Sequence, residues 1–281
     1  MRVKYIFSSR RTGRIEGTNK HRKSYPLVAR EVIRISDIVL EILDARFIEE
    51  TRNKEFEDLI IKSGKKIIYV LNKSDLIDVN EAKSKIELQH MQPYVFVSCK
   101  SREGVSGLRD RIKIEVKKTG RETDRNYERA QVGVIGYPNT GKSSVINMLV
   151  GRPVARTAAE AGFTRGMQKI RLAKGVLLLD TPGVIPEKET GSEKRNLEKH
   201  TQIGVRTWDK VKDPNITVFG LIKKYPGEFE EFYGIDSAGD MEMLIEKLGR
   251  KMNFISKGNL VDVDKTARKI LRDWQEGKVR I

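Results

Sequence analysis

The chain has 281 residues, of which 38% are hydrophobic and 33% charged, and its formal charge is +16. That length fits about two ordinary domains, and since no apolar run approaches the ~20 residues of a membrane span, no membrane partner is expected. With one cysteine, Cys99, and no apolar leader core in Met1 to Arg30, the chain has neither an internal disulfide nor a multi-cysteine zinc site, and a cytoplasmic location is expected.

Residues 1–30 hold nine Lys or Arg side chains against Glu16 alone, which is half of the net excess. Residues 1–23 read as a basic arm of the kind that binds nucleic-acid phosphate through counterion release, the alternative being a solvated tail with no partner. A helix follows from about Pro26 to Ser36, carrying Leu27, Ala29, Val32, Ile33 and Ile35. Ile38-Val39-Leu40-Glu41-Ile42-Leu43 is short and β-branched, which predicts a buried strand ending at Asp44-Ala45-Arg46. Asn53 to Lys62 reads as a helix, and Lys66 to Leu71 as a second strand that delivers Asn72-Lys73-Ser74-Asp75. Asp78 or Asn80 caps a further helix through Leu88. Tyr94 to Val97 is a third strand, leading into Ser98-Cys99-Lys100, and a helix covers about Gly104 to Lys118. After a charged linker, Val132 to Ile135 is a fourth strand. Strands alternating with helices predict an α/β fold with a mainly parallel sheet.

Gly136-Tyr137-Pro138-Asn139-Thr140-Gly141-Lys142-Ser143 has the spacing G-x-x-x-x-G-K-S, between a strand and the helix that begins near Ser144. Two glycines let backbone N–H groups turn in around an anion, and the helix adds the positive end of its dipole. Asn139, Thr140, Gly141, Lys142, Ser143 and Ser144 are therefore candidate nucleotide contacts, with Lys142 on the outer phosphates and Ser143 on a magnesium ion. Short strands at about Met167 to Leu172 and Val176 to Leu179, separated by Lys174-Gly175, form a pair at a sheet edge. The second ends in Asp180-Thr181-Pro182-Gly183, 39 residues after Gly141. There Asp180 can hold magnesium through water and the Gly183 amide can sense the terminal phosphate. Asp75 can accept the ring N–H and the exocyclic amine of guanine, a donor pair that adenine lacks, so an ATPase is disfavoured. Asn72, Lys73, Asp75, Ser98, Cys99 and Lys100 form the expected guanine pocket.

Residues 186–203 are polar and aperiodic and read as a mobile linker. Residues 204–281 carry helical stripes, Met241, Leu244, Ile245 and Leu248, then Ala267, Ile270, Leu271 and Trp274, and read as a small helical domain that binds RNA through a face. Residues 24–185 make up the nucleotide-binding domain.

These motifs run in the order guanine motif, Ser-Cys-Lys, phosphate loop, Asp-Thr-Pro-Gly, whereas ordinary GTPases begin with the phosphate loop. With Asp44-Ala45-Arg46, Thr51-Arg52-Asn53 and the run Arg272-Asp273-Trp274-Gln275-Glu276-Gly277-Lys278, the chain from about Ser24 onward resembles the circularly permuted GTPases of the YlqF/YawG group, which includes RbgA and the nucleolar GTP-binding proteins. The resemblance implies a magnesium-dependent GTPase that assists assembly of the large ribosomal subunit, with ribosomal RNA or that subunit as partner, no DNA, and a monomeric state. It also implies that Asn139 sits where similar GTPases hold potassium, the alternative being a turn-stabilising asparagine. Thr164 resembles the switch threonine that completes the magnesium shell, although Ala161 replaces the usual proline before Gly162. His21 lies upstream of the first strand, where a histidine acts in bacterial relatives, with an RNA contact beside Arg22 and Lys23 as the alternative. Val184 stands where many GTPases place a water-positioning glutamine, so slow intrinsic hydrolysis is expected. Two other functions fit the same residues: a GTPase acting on tRNA or another RNA, and an RNA-binding module whose nucleotide is structural.

Overall fold

The computed structural model describes residues 25–84, 86–120, 129–155, 167–186, 189 and 194–281. The basic arm, with His21, and Thr164 lie outside the described residues. Helix α1 (Tyr25–Ile35) leads into strand β1 (Ile38–Asp44), all seven residues of which are buried. An unbroken Ile/Val/Leu run suits a parallel strand covered on both faces, where an alternating pattern would leave one face wet. A short α2 (Ile48–Thr51) precedes α3 (Lys54–Lys62), whose first turn is closed by the Asn53 side chain accepting from the Phe56 amide. Then come β2 (Lys66–Asn72), α4 (Val79–Ser84), β3 (Tyr94–Val97), α5 (Val105–Lys118), β4 (Ala130–Gly136) and α6 (Lys142–Val150), followed by the hairpin β5 (Gln168–Ala173) and β6 (Val176–Asp180).

The six strands lie in the order β3-β2-β1-β4-β6-β5. Every neighbouring pair is parallel except β5 with β6, which places β5 at the edge. The chain therefore fills the sheet outward from β1 to β3, returns across it to β4, and fills the other side. A reversal of that kind opens a crevice at the carboxyl ends of the strands, where ligands of open α/β sheets bind. Asp44, Asn72, Gly136 and Asp180 all stand at those ends.

The remaining chain forms α7 (Lys194–Gln202), α8 (Pro214–Lys224), α9 (Glu228–Tyr233), α10 (Met241–Lys251), a two-residue hairpin of β7 (Ile255–Ser256) and β8 (Leu260–Val261), and α11 (Val263–Gln275). Asp240 caps α10 and Asp262 caps α11.

Three expectations change. Helix α7 occupies part of the stretch read as a mobile linker. It offers one apolar side chain, Leu197, and so lacks a helical stripe; contacts made outside the helix hold it, through Lys199 to Glu189 at 2.8 Å. The helix expected to reach Leu88 stops at Ser84, and a 3-10 turn covers Ile86–His90. The third change concerns the C-terminal unit, whose core includes two residues from the sheet side of the molecule. Phe47 and Tyr137, 1% and 0% exposed, pack among Val218, Leu221, Phe229, Leu248, Ile270 and Trp274. Trp274 is the hub, with ring centroids of Phe47, Tyr225 and Phe229 at 5.7, 5.1 and 5.6 Å. Since each buried aromatic removes about 150–250 Å2 from water, side chains lent across the boundary favour this arrangement of the two units.

Candidate nucleotide site

The phosphate loop leaves β4 at Gly136, φ 150°, and enters α6 through Gly141, φ 96°. A side chain on Gly141 would fall 2.2 Å from Asn72 Nδ2. The bare backbone there lets Asn72 donate to the Thr140 carbonyl at 2.8 Å, which ties the Asn-Lys-x-Asp motif to the phosphate loop across 68 residues of sequence. Gly183 is equally constrained, because a β-carbon on it would lie 2.7 Å from the Pro138 backbone and 3.1 Å from Lys142 Nζ. The Asp-Thr-Pro-Gly run thus lies directly against the loop, and the Val184 amide donates to the Gly136 carbonyl at 3.2 Å.

Lys142 is buried and donates to the Gly136 and Tyr137 carbonyls at 3.1 and 2.6 Å. Burial pushes its amine down to about 8 despite the opposing pull of Asp180. Asp180 is pushed up to about 6, again by burial, against the attraction of Lys142 and the nearby Thr181 backbone. Both carboxylate oxygens of Asp180 are buried with no hydrogen-bond partner. Buried carboxylates are rarely left so, and this oxygen pair beside the Lys142 ammonium, together with the hydroxyl of Ser143, the next residue of the chain after Lys142, is a donor set suited to a hydrated magnesium ion.

At the other end, Lys73 takes a left-handed conformation, φ 64°, and starts the turn Ser74–Leu76. Its amine lies 2.6 Å from Asp44, which Arg46 also grips at 2.9 Å. Burial alone would raise the Asp44 carboxyl, but Lys73 and Arg46 hold it well below the usual carboxylate range. Arg46 spends a further N–H on the Trp274 carbonyl, at 3.0 Å. The Ser98 hydroxyl donates to Asp75 at 2.7 Å. The Cys99 thiol is pushed up to about 11, chiefly by burial and then by Asp75, so it stays a thiol and has no nucleophilic part.

A cleft of about 400 Å3 brings Asn72, Lys73, Asp75, Cys99, Lys100, Asn139, Gly141 and Ser144 together. Ser98 and Thr140 stand behind it as the supports of Asp75 and Asn72, while Asp180 and Gly183 lie beside Lys142 at the start of α6. Asn139 takes φ 62° and donates its side-chain amide to the Gly204 carbonyl, which gives it a structural partner in the C-terminal unit. Val184 is 4% exposed and packs among Leu43, Ile48 and Ile135, so its side chain is turned into the core.

Sequence reasoning assigned no site role to Asp44, Arg46, Tyr137, Trp208, Gln275 or Gly277. Asp44-Ala45-Arg46 and the run that holds Gln275 and Gly277 entered only as marks of the family resemblance, and Trp208 carried no signal. Tyr137 hides inside a loop motif, yet its hydroxyl donates to Glu189, which pairs with Lys199.

A parallel sheet with a phosphate loop after its fourth strand, and a guanine-type turn after its second, defines a P-loop GTPase fold in circularly permuted order. Comparison with known proteins agrees. Residues 131–224 match the family model described as 50S ribosome-binding GTPase. An uncharacterized GTP-binding protein of Methanocaldococcus jannaschii, MJ1464, is 37% identical over 258 residues, covering 90% of this chain and 65% of that one. Nucleolar GTP-binding protein 2 of Saccharomyces cerevisiae is 33% identical over 252 residues, 89% of this chain and 51% of that one. The GDP-bound structure of YlqF aligns with TM-score 0.62 at 23% identity, covering 89% of this chain and 95% of that one. The chain thus carries a GTPase domain whose sequence is similar to proteins named GTP-binding and nucleolar GTP-binding, on the circularly permuted fold of YlqF. It spans less than two thirds of the length of the curated relatives it matches.

Proposed function

We propose that this protein binds GTP with magnesium, hydrolyses it slowly to GDP and phosphate, and acts as an assembly factor for the large ribosomal subunit. The observation that carries the reading is the Asn72 to Thr140 hydrogen bond, which makes a guanine-reading turn and a phosphate-holding loop two ends of one cleft. In it Asp75 reads the base, with Ser98 fixing its carboxylate. The loop amides and the start of α6 receive the phosphates, and Lys142 exchanges its loop carbonyls for phosphate oxygens. Ser143 and Asp180 would hold the magnesium ion, with Thr164 as the third contact. Held there, the ion would supply positive charge to the transferred phosphoryl group. Gly183 offers its amide to the terminal phosphate.

The buried Val184 leaves hydrolysis without a water-positioning side chain of its own. Activation comes from outside the motif: from potassium near Asn139, from His21, or from the ribosomal particle. The basic arm, residues 1–23, and a face of the unit over residues 204–281 supply RNA contacts. The protein works as a cytoplasmic monomer. Loss of the terminal phosphate repositions the C-terminal unit through residues 186–203, which directly follow the phosphate-sensing segment.

GTP turnover in potassium and in sodium, with and without mature and precursor large subunits, tests the reading. Turnover stimulated by subunits is expected, with a potassium preference if Asn139 holds the cation. A flat, near-zero rate under every condition would replace it with an RNA-binding module stabilised by nucleotide.

A further inference from the structure

The cleft has a second wall that no GTPase motif supplies. Besides the Lys73–Asp75 turn it is lined by Gly204, Thr207, Trp208, Gln275 and Gly277, all from the C-terminal unit. That wall is built as one piece. Gln275 accepts from the Trp208 amide at 3.0 Å and donates to the Thr201 and Arg206 carbonyls at 2.8 and 2.9 Å, which locks the loop after α7 to the end of α11.

The wall also touches the base-reading turn itself. Gly277 has φ 70°, and a β-carbon on it would lie 2.6 Å from Leu76 Cδ1. Leu76 is buried and directly follows Asp75. The Ile281 amide donates to the Leu76 carbonyl at 3.1 Å, so the turn is clasped on side chain and backbone together. Two further links run parallel to this one: Asn139 of the phosphate loop to Gly204, and Lys73 through Asp44 and Arg46 to the Trp274 carbonyl.

We propose that the C-terminal unit is the outer wall of the guanine pocket: the base and ribose of the nucleotide are held between the Lys73–Asp75 turn and the segments Thr207–Trp208 and Gln275–Gly277. This deepens, and rests on, the assignment of the cleft to a guanine nucleotide. Trp208 supplies a large flat ring at the wall, a surface suited to a planar base or to the apolar side of a ribose. Nucleotide exchange then requires the wall to move, and a partner that draws the C-terminal unit away releases GDP by opening the base end of the cleft.

The test is release of fluorescent GDP from the full chain, comparing wild type with Trp208→Ala, with Gly277→Ala, and with Leu260→Ser on the exposed hairpin as control. Release about tenfold faster in the first two, and unchanged in the third, is the expected result. Wild-type rates in both wall variants would overturn the wall while leaving GTP binding in place. Failure of the wild type to bind guanine nucleotide would sink the cleft assignment, and the wall with it. Hydrogen exchange on the wild type needs no variant: amides at Trp208 and at Gln275 to Gly277 slow when GDP is added, and exchange there identical with and without GDP would also overturn the proposal.

Discussion

At the phosphate end of the cleft, Asp180 is buried with both oxygens unpartnered, and Lys142 rests on carbonyls of its own loop. At the base end, Asp75 already holds Ser98, Asn72 holds Thr140, and Lys73 holds Asp44. The phosphate end therefore carries desolvated charge that the protein itself leaves unsatisfied, whereas the base end is shaped by protein contacts before any ligand arrives. Stability and binding should respond oppositely at the two ends, and substitutions can separate them.

The most severe break is Asp44→Asn. It leaves the Arg46 guanidinium, 1% exposed, and the Lys73 amine without their shared carboxylate. A loss of about 3–5 kcal/mol in the unfolding free energy is expected, read from urea denaturation of the nucleotide-free protein. A midpoint equal to wild type would show that the base end is not held by this pair. Lys142→Met acts at the other end. It should weaken GDP binding by about 3 kcal/mol, roughly a hundredfold, yet cost the nucleotide-free protein far less stability than Asp44→Asn, since removal of a desolvated amine offsets the lost counter-charge of Asp180. Reduced stability with intact binding would reverse the comparison.

Ser98→Ala is milder. It removes one hydrogen bond to Asp75, worth about 1 kcal/mol, and calorimetry should show weaker GDP binding with the preference for GDP over ADP narrowed. The smallest effect belongs to Glu41, buried in β1, where it accepts from the Asn53 amide at 2.9 Å. Burial, and then the nearby Glu57 charge, raise its carboxyl well above the ordinary range. The folded protein thus keeps a proton that the unfolded chain releases, so this group's contribution to stability falls as pH rises from the unfolded value towards the folded one. Glu41→Gln keeps the acceptor without titrating. The fall in urea midpoint from about pH 5 to about pH 8 should therefore be shallower in the variant, and an identical slope would remove Glu41 from the account.

What was legible in the sequence follows from how local its cause is. The sheet could be read because runs such as Ile38 to Leu43 and Lys66 to Leu71 carry their burial in their composition, and the phosphate loop because its glycines and lysine are contiguous. Helix α7 was not legible, since Lys-Arg-Asn-Leu-Glu-Lys-His-Thr-Gln has no stripe and is fixed by Glu189. Phe47 and Tyr137 gave no sign of serving the C-terminal core, because a single aromatic in a loop has no period to betray which side it faces. The wall of the base pocket was invisible for a related reason: Leu76 and Gly277 lie about 200 residues apart, and no spacing rule reaches that far.

Tyr137 has a consequence for the order in which the protein becomes competent. It belongs to the phosphate loop, yet its ring is set in a core that Trp274 and Leu271 complete. As the chain is synthesised from its N-terminus, the sheet can pair and α6 can form while that core is still missing its last helix. The loop then has its sequence but not its seat. Nucleotide binding is thus a late property of the growing chain, acquired when α11 docks, and a nascent or truncated form that has the motif alone would not yet compete for GTP.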